Sequence, residues 1–222
     1  VDSLATLCGR LPLALRVAAS LLNDRPDWSL ATLQTRLKDE HTRLKRLKRD
    51  GDLDLDIEAT LSLSYNLLDE NLKGKFRQLG IFMAPFMYIS AQAIWELEDE
   101  TEANDLLGKF INLSLLHSLP SLFRSGDGRD ILYQYSLHDL TRLFATDKLL
   151  TDSVETQAVT IRHANHFLEW GSEPNQLYIK GSQNTLSGLT QFRFIYPNLQ
   201  AAYERLSKEN KASPHPDEVD RW

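Results

Sequence analysis

Two short runs of residues carry the side chains best suited to chemistry: Cys8-Gly9-Arg10-Leu11-Pro12-Leu13-Ala14-Leu15 near the start, and Leu137-His138-Asp139-Leu140 past the middle, Pro12 and His138 standing 126 positions apart. In the first, a proline interrupts an apolar helical repeat. Proline in such a pattern ends one helix and starts the next, where its missing N–H costs nothing. Pro12 is therefore expected at a helix N-terminus, its apolar ring placed to face a ligand base and the free backbone N–H groups beside it suited to an anion. In the second run, His138 is expected in the first turn of a helix, where its imidazole can donate to a phosphate oxygen while the helix dipole adds positive potential. Asp139 beside it would cap or orient that turn, since a carboxylate and an anion repel. Taken alone, each run has a plainer reading, a kinked core helix for Gly9 to Leu15 and a surface or capping histidine for His138.

Other chemistry-bearing residues are sparse. His163 and His166 are three apart on an expected helix and have the spacing of a metal pair, but no cysteine or second histidine pair accompanies them, and a structural role is expected. Cys8, the chain's one cysteine, falls on an apolar helix face with no base nearby; inert burial is expected, and no disulfide within the chain can form. No carboxylate pair and no Ser/His/Asp arrangement stands out, and no G-x-x-x-x-G-K-[ST] phosphate loop occurs. No metal site and no catalysis by this stretch are expected.

The elements that must position these residues follow from periodicity. Leu4, Leu7, Cys8, Leu11, Leu15, Ala18, Ala19 and Leu22 mark one buried helical face, broken at Gly9 and Pro12. A further helix follows Asp27 or Ser29 as cap and runs through Leu30, Leu33 and Leu37. A basic run at 41–49 then gives way to an acidic one at 50–56 around Gly51, the best linker candidate. Helices are expected at 57–67, 69–79, 90–97 and 102–116, with Asp69 and Ser90 as N-caps. Two strands at 119–123 and 131–136 flank a Gly/Asp-rich hairpin loop, and a helix at 137–150 follows. From 152 onward the pattern is again helical, with turns at Gly171, Pro174, Gly181 and Gly188, a new helix near Pro197, and a polar, proline-bearing tail. The expected fold class is mainly α: a helical domain at 1–50, a linker at 51–56, a winged-helix domain with a short β-hairpin at 57–151, a helical segment at 152–210 and a flexible tail at 211–222.

Composition fits a folded chain, with 42% hydrophobic and 25% charged residues over 222 positions. Residues 1–50 carry ten Lys/Arg against six Asp/Glu; the remainder carries fifteen against twenty-five, so the net charge of −6 sits in the later part. That acidity argues against binding driven by nucleic-acid phosphates. No apolar run has a membrane-spanning length, no secretory leader is legible, and a reducing, cytoplasmic setting is expected.

The two runs resemble the Gly-Leu-Pro-Leu and Met-His-Asp motifs of the NB-ARC family of signal-transduction ATPases, the STAND class, and the bacterial branch in particular. Ser64-Tyr65-Asn66-Leu67-Leu68 and Phe76-Arg77-Gln78-Leu79-Gly80-Ile81-Phe82 look like the winged-helix opening of bacterial members, and 197–203 is similar to the helical segment that follows it. The resemblance implies that Gly9, Leu11, Pro12 and Leu13 line an adenine nucleotide, with Pro12 against the base, and that His138, with Asp139, reaches the β-phosphate. It implies ADP or ATP with Mg as cofactor, held mainly by a phosphate-loop domain of the same chain upstream of Val1. Adjacent subunits and downstream helical repeats are the other partners it implies. The expected function is the regulatory part of a nucleotide-dependent switch. Arg10 departs from the family, which often has glycine there.

Two rival functions remain. One is a protein-interaction scaffold without nucleotide control. The other is a DNA-binding winged helix, but its reading helix would be 102–112, where Glu102 and Asp105 outnumber Lys109 and the preceding turn adds Glu96, Glu98, Asp99 and Glu100.

Overall fold

The computed structural model describes residues 2–45, 55–124, 131–181 and 183–212. Outside them lie the end of the basic run at 46–49, most of the expected linker, the hairpin loop at 125–130 and nearly all of the expected tail.

Helix α1 (Asp2–Leu7) and α2 (Pro12–Asp24) are separated where Gly9 and Pro12 predict a break. Helix α2 buries Leu13, Ala14, Val17, Ala18 and Leu21, a one-sided stripe. The guanidiniums of Arg25 and Arg36 lie 5.3 and 4.3 Å from the Trp28 ring and clamp the turn into α3 (Leu30–Lys45). Ser29 caps α3, its Oγ accepting from the Thr32 N–H at 3.1 Å.

Helix α4 (Leu55–Asn66) has no solvent face over most of its length, burying Ile57 and everything from Ala59 to Tyr65. It packs against α2, α3 and the helix Asp139–Leu149. Two of its buried hydroxyls turn inward to the helix, Thr60 donating to the Asp56 carbonyl at 2.8 Å and Ser64 to the Thr60 carbonyl at 3.3 Å, while Ser62 Oγ has no partner among the described residues. Helix α5 (Glu70–Gln78) starts at its expected cap, with Asp69 Oδ1 accepting from Leu72 N–H at 2.8 Å. A 3₁₀ turn, Leu79–Ile81, follows.

The next stretch differs from the sequence reading. Phe86–Met87 forms a short strand, β1, and α6 (Tyr88–Trp95) starts two residues before Ser90. Ser90 is fully buried and pairs with His166 Nε2 at 2.9 Å, so it is an interior hydrogen-bonding group and not an N-cap. Helix α7 (Glu100–Asn112), capped by Asp99, stops short of 116 because Ser114 takes φ 55, while Leu113, Leu115 and Leu116 turn into the core. Strands β2 (His117–Arg124) and β3 (Ile131–Ser136) complete an antiparallel sheet of order β1-β3-β2. Phe86 pairs with Tyr135 and His117 with Ser136. Helix α8 (Asp139–Leu149) follows directly.

Helices α9 (Ser153–Lys180) and α10 (Gln183–Ala212) form one long antiparallel pair. Of the expected turns only Gly181 (φ 71) is one. Gly171 and Pro174 lie within α9, Gly188 and Pro197 within α10. Packing overrides the local signals: a Cβ on Gly188 would stand 2.6 Å from the Pro174 carbonyl oxygen, so the glycine marks helix-to-helix contact.

This pair docks through aromatic and amide groups. Phe82 stacks on Phe86 at 4.0 Å and meets His163 and Phe167. The buried Asn198 side chain accepts from Met83 and Ala84 N–H (2.9 and 3.3 Å) and donates to the Ala84 and Pro85 carbonyls. Burial pushes His163 down to about 3, helped by Arg205 and His166 against a weaker opposing pull from Asn198; burial alone pushes His166 down to about 4. Both rings are thus neutral when folded, whereas the unfolded chain protonates them below about pH 6.5. Their stabilising contribution is full above that pH and is lost as pH falls toward 4 and 3. Lowering the pH from 7 to 5 should cost about 2 kcal/mol per histidine in urea unfolding. His163→Phe, which keeps a ring against Phe82 and Phe167, should show a loss smaller by about that amount.

Candidate functional site

The loop before α2 is built by left-handed backbone. Cys8, Gly9 and Arg10 N–H groups close onto the Leu4, Thr6 and Ala5 carbonyls, and Gly9 and Arg10 take φ of 60 and 55. The second of these falls on an arginine, which explains why a glycine suits the position. Gly9 has a further reason to lack a side chain, since a Cβ would stand 2.5 Å from Asp56 Oδ2 on the first turn of α4. Asp56 is in turn 3.4 Å from His41 Nε2, which contacts the Leu7 carbonyl at 3.0 Å. Cys8 is buried beneath this loop, where burial raises its thiol pKa, opposed by Thr60 and reinforced by Asp56. It is a packing group.

Leu11, in extended conformation, is the N-cap of α2, and Pro12 is its first residue. Leucine offers no acceptor to the Leu13 and Ala14 N–H groups, so the start of α2 lacks a side-chain cap. The six sequence-chosen residues therefore separate by role. Pro12 is exposed at the helix start, Leu11 is half-buried against the core, Leu13 is core, and Gly9 sets the loop.

His138 is exposed, and it is the N-cap of α8 and not part of its first turn. Its Nδ1 accepts from Leu140 N–H at 3.3 Å, which leaves the ring proton on Nε2 as a free donor. The capping role expected of Asp139 thus belongs to His138. Asp139 is exposed and points to Arg142, 3.5 Å away.

Two residues that sequence reasoning missed join these halves. Arg16, one helical turn after Pro12 on the same face of α2, donates from Nη2 to His117 Nε2 at 2.8 Å. His117 opens β2 opposite Ser136, two residues before His138. Burial, then Arg16, then His138 hold the His117 imidazole below its ordinary value. One further turn along α2, Ser20 Oγ lies 2.6 Å from Ser114 Oγ. Arg16 was legible as an i+4 neighbour of Pro12, whereas His117 becomes visible only through the strand register.

Among the described residues, no group of three His, Cys, Asp or Glu side chains is placed to hold a metal ion, and no helix is long and apolar enough to cross a membrane. His163 packs on Phe82 and Phe167, whereas His166 packs on Phe167 and Trp170 and pairs with Ser90.

No protein-family model matches the chain. Over 138 residues, 62% of its length, the chain is 37% identical to the regulatory protein AfsR of Streptomyces griseus and 36% identical to that of Streptomyces coelicolor. It spans about an eighth of the length of these relatives, 13% and 12%.

The Gly9 contact yields a direct expectation. Gly9→Ala should destabilise the chain by about 2 kcal/mol in urea unfolding, combining the cost of a left-handed alanine with displacement of Asp56. A change below about 0.5 kcal/mol would show that the loop is free to move off α4.

Proposed function

We propose that this chain is the regulatory part of an NB-ARC-type nucleotide switch, with Pro12 and His138 reporting whether ADP or ATP is bound. One observation carries the reading: Arg16, one turn after Pro12 on α2, donates to His117, whose strand partner Ser136 stands two residues before His138, so the two motif segments, far apart in sequence, are linked through one hydrogen bond. The regulatory name of the two Streptomyces relatives supports the coarser part of it. The arrangement of α4–α8 about the β1-β3-β2 sheet is the kind a winged helix has, and α9–α10 would lead on to further helical units.

The residues present suit an adenine nucleotide. An exposed proline ring at an uncapped helix start provides an apolar surface for a base and unfilled N–H groups, and a histidine N-cap provides a donor for phosphate. When bound, the nucleotide would supply the negative charge that these donors lack, with Mg and most of its binding contributed by a phosphate-loop domain elsewhere in the same protein. Pro12 and His138 then pin the winged-helix part against that phosphate-loop domain in the diphosphate state, and exchange frees it to rotate and expose a surface for adjacent subunits. The chain itself performs no catalysis in this reading, and it works in the cytoplasm.

A scaffold role is the second reading, favoured by the apolar surface of α9–α10, where Ile179, Leu186 and Tyr203 are each 73% exposed. DNA reading is disfavoured by α7, which buries Ala103, Leu106, Leu107 and Phe110 and opens with Glu100 and Glu102.

The decisive comparison is ADP retention through purification by the full-length protein and its His138→Ala variant. The switch reading expects near-stoichiometric ADP in the first and release at least about tenfold faster in the second, a difference of about 1.4 kcal/mol. Equal release rates would refute the sensor role of His138, and absence of nucleotide from both would favour the scaffold.

A further inference from the structure

We propose that the cavity between α6 and the middle of α9 receives an arginine side chain of a partner polypeptide, its guanidinium held between the Glu169 and Glu173 carboxylates and the Trp170 ring. The site uses neither Pro12 nor His138, so the inference stands apart from nucleotide control.

The cavity has a volume of about 320 Å³ and is lined by Ile89 of α6 and by His166, Glu169, Trp170, Ser172 and Glu173 of α9. His166, Glu169, Trp170 and Glu173 follow the i, i+3, i+4, i+7 spacing that places side chains on one helix face. The aromatic wall is fixed in place. Trp170 packs on Phe167 and on Phe194, each at 6.0 Å, and on His166 at 5.6 Å. His166 is itself anchored by Ser90 at 2.9 Å, and burial pushes it down to about 4, so at neutral pH it brings no positive charge to the carboxylates.

The cavity holds negative charge without its counterpart. Glu169 and Glu173 are exposed, stand four apart on the helix, where like charges repel, and have no ion-pair partner among the described residues. Arg162, two turns before Glu169, is already paired with Glu96. The other described tryptophans show what Trp170 lacks. Arg25 and Arg36 lie 5.3 and 4.3 Å from the Trp28 ring, with Asp27 accepting from Arg25 Nε at 3.2 Å, and Lys75 Nζ lies 6.0 Å from the Trp95 ring. Trp170 has two carboxylates on its helix face and, among the described residues, no cation over its ring. A guanidinium fits both surfaces, because its flat face rests on an indole while its edge donates to carboxylates; a lysine ammonium is a point charge without that shape. An arginine within a chain suits the cavity better than the free amino acid, whose own carboxylate would meet Glu169 or Glu173 with no cation in the lining to receive it.

The test titrates N-acetyl-arginine amide, an arginine blocked at both ends, into the full 222-residue chain while the indole N–H NMR signals are followed. The Trp170 signal, assigned by its loss in Trp170→Phe, should shift and saturate while those of Trp28 and Trp95 stay in place. Replacing both carboxylates, Glu169→Gln with Glu173→Gln, should weaken binding by about tenfold or more at an unchanged melting temperature, since both side chains are exposed and unpaired. N-acetyl-lysine amide and free arginine should each bind about threefold more weakly, or worse. An unmoved Trp170 signal, or wild-type affinity in the double variant, would overturn the site. Equal binding of the blocked lysine would overturn the guanidinium assignment, and equal or tighter binding of free arginine would replace the polypeptide partner by a small ligand.

Discussion

Helix α4 is buried over most of its length, and the helices that carry Pro12 and follow His138 both pack on it. Its first turn carries Asp56, against which Gly9 packs so closely that no side chain fits between them. Its body packs on α2, α3 and α8. The helix that begins at Pro12 and the helix capped by His138 are thus both seated on one buried rod. A residue pair 126 positions apart in sequence is brought to a defined relation by apolar packing, which is stiff because protein interiors are close-packed.

The seam between these halves is chemically different from the rod beneath it. On α2 the apolar side faces α4, with Leu13, Ala14, Val17, Ala18 and Leu21 buried. The other side offers Arg16 to His117 and Ser20 to Ser114, single polar contacts at exposed or half-buried positions. Contacts of that kind are each worth about 1 kcal/mol or less, because water competes for the same groups. The core seals the fold while the seam is held by interactions that a ligand of modest affinity can strengthen or replace. The proposed switch would need this division, since a ligand shifts a conformational equilibrium only by its differential affinity for the two states.

Much of the local structure was legible because it rests on neighbours in sequence. Pro12 as a first helical residue, Ser29 and Asp69 as caps, and the bounds of β3 follow from residues within a turn of one another. What escaped depends on distant partners. Phe86–Met87 becomes a strand only because Tyr135 and Gln134 pair with it. Ser90 reads as a cap until His166 buries it. Pro174 and Gly188 signal turns locally, yet each is held inside a helix by the other's close approach. The site divides in the same way. Pro12 and His138 stand in recognisable strings, whereas Arg16 and His117 acquire meaning only when the hairpin register sets His117 opposite Ser136.

The C-terminal helix pair is fastened to the same half as His138, and this decides where movement can occur. The 3₁₀ turn Leu79–Ile81 lies between α8 and α9. On one side, a Cβ on Gly80 would stand 2.6 Å from Thr146 N, and the Thr146 hydroxyl donates to the Gly80 carbonyl at 2.9 Å. On the other side, Phe82 packs on His163 and Phe167, and Asn198 ties down the backbone of Met83, Ala84 and Pro85. Arg77 adds an ion pair to Glu155 at 2.6 Å. These contacts are buried or half-buried and mutually supporting, so separating α8 from α9 would strip partners from several groups at once, each carrying a desolvation cost of about 1–3 kcal/mol. Opening the Arg16–His117 seam breaks exposed contacts that water can replace. The 3₁₀ turn thus ties α8 to the long helix pair through buried groups, whereas the polar contacts of the α2–β2 seam are ones that water can replace, and it is the α4 packing beneath that seam that keeps its two sides together.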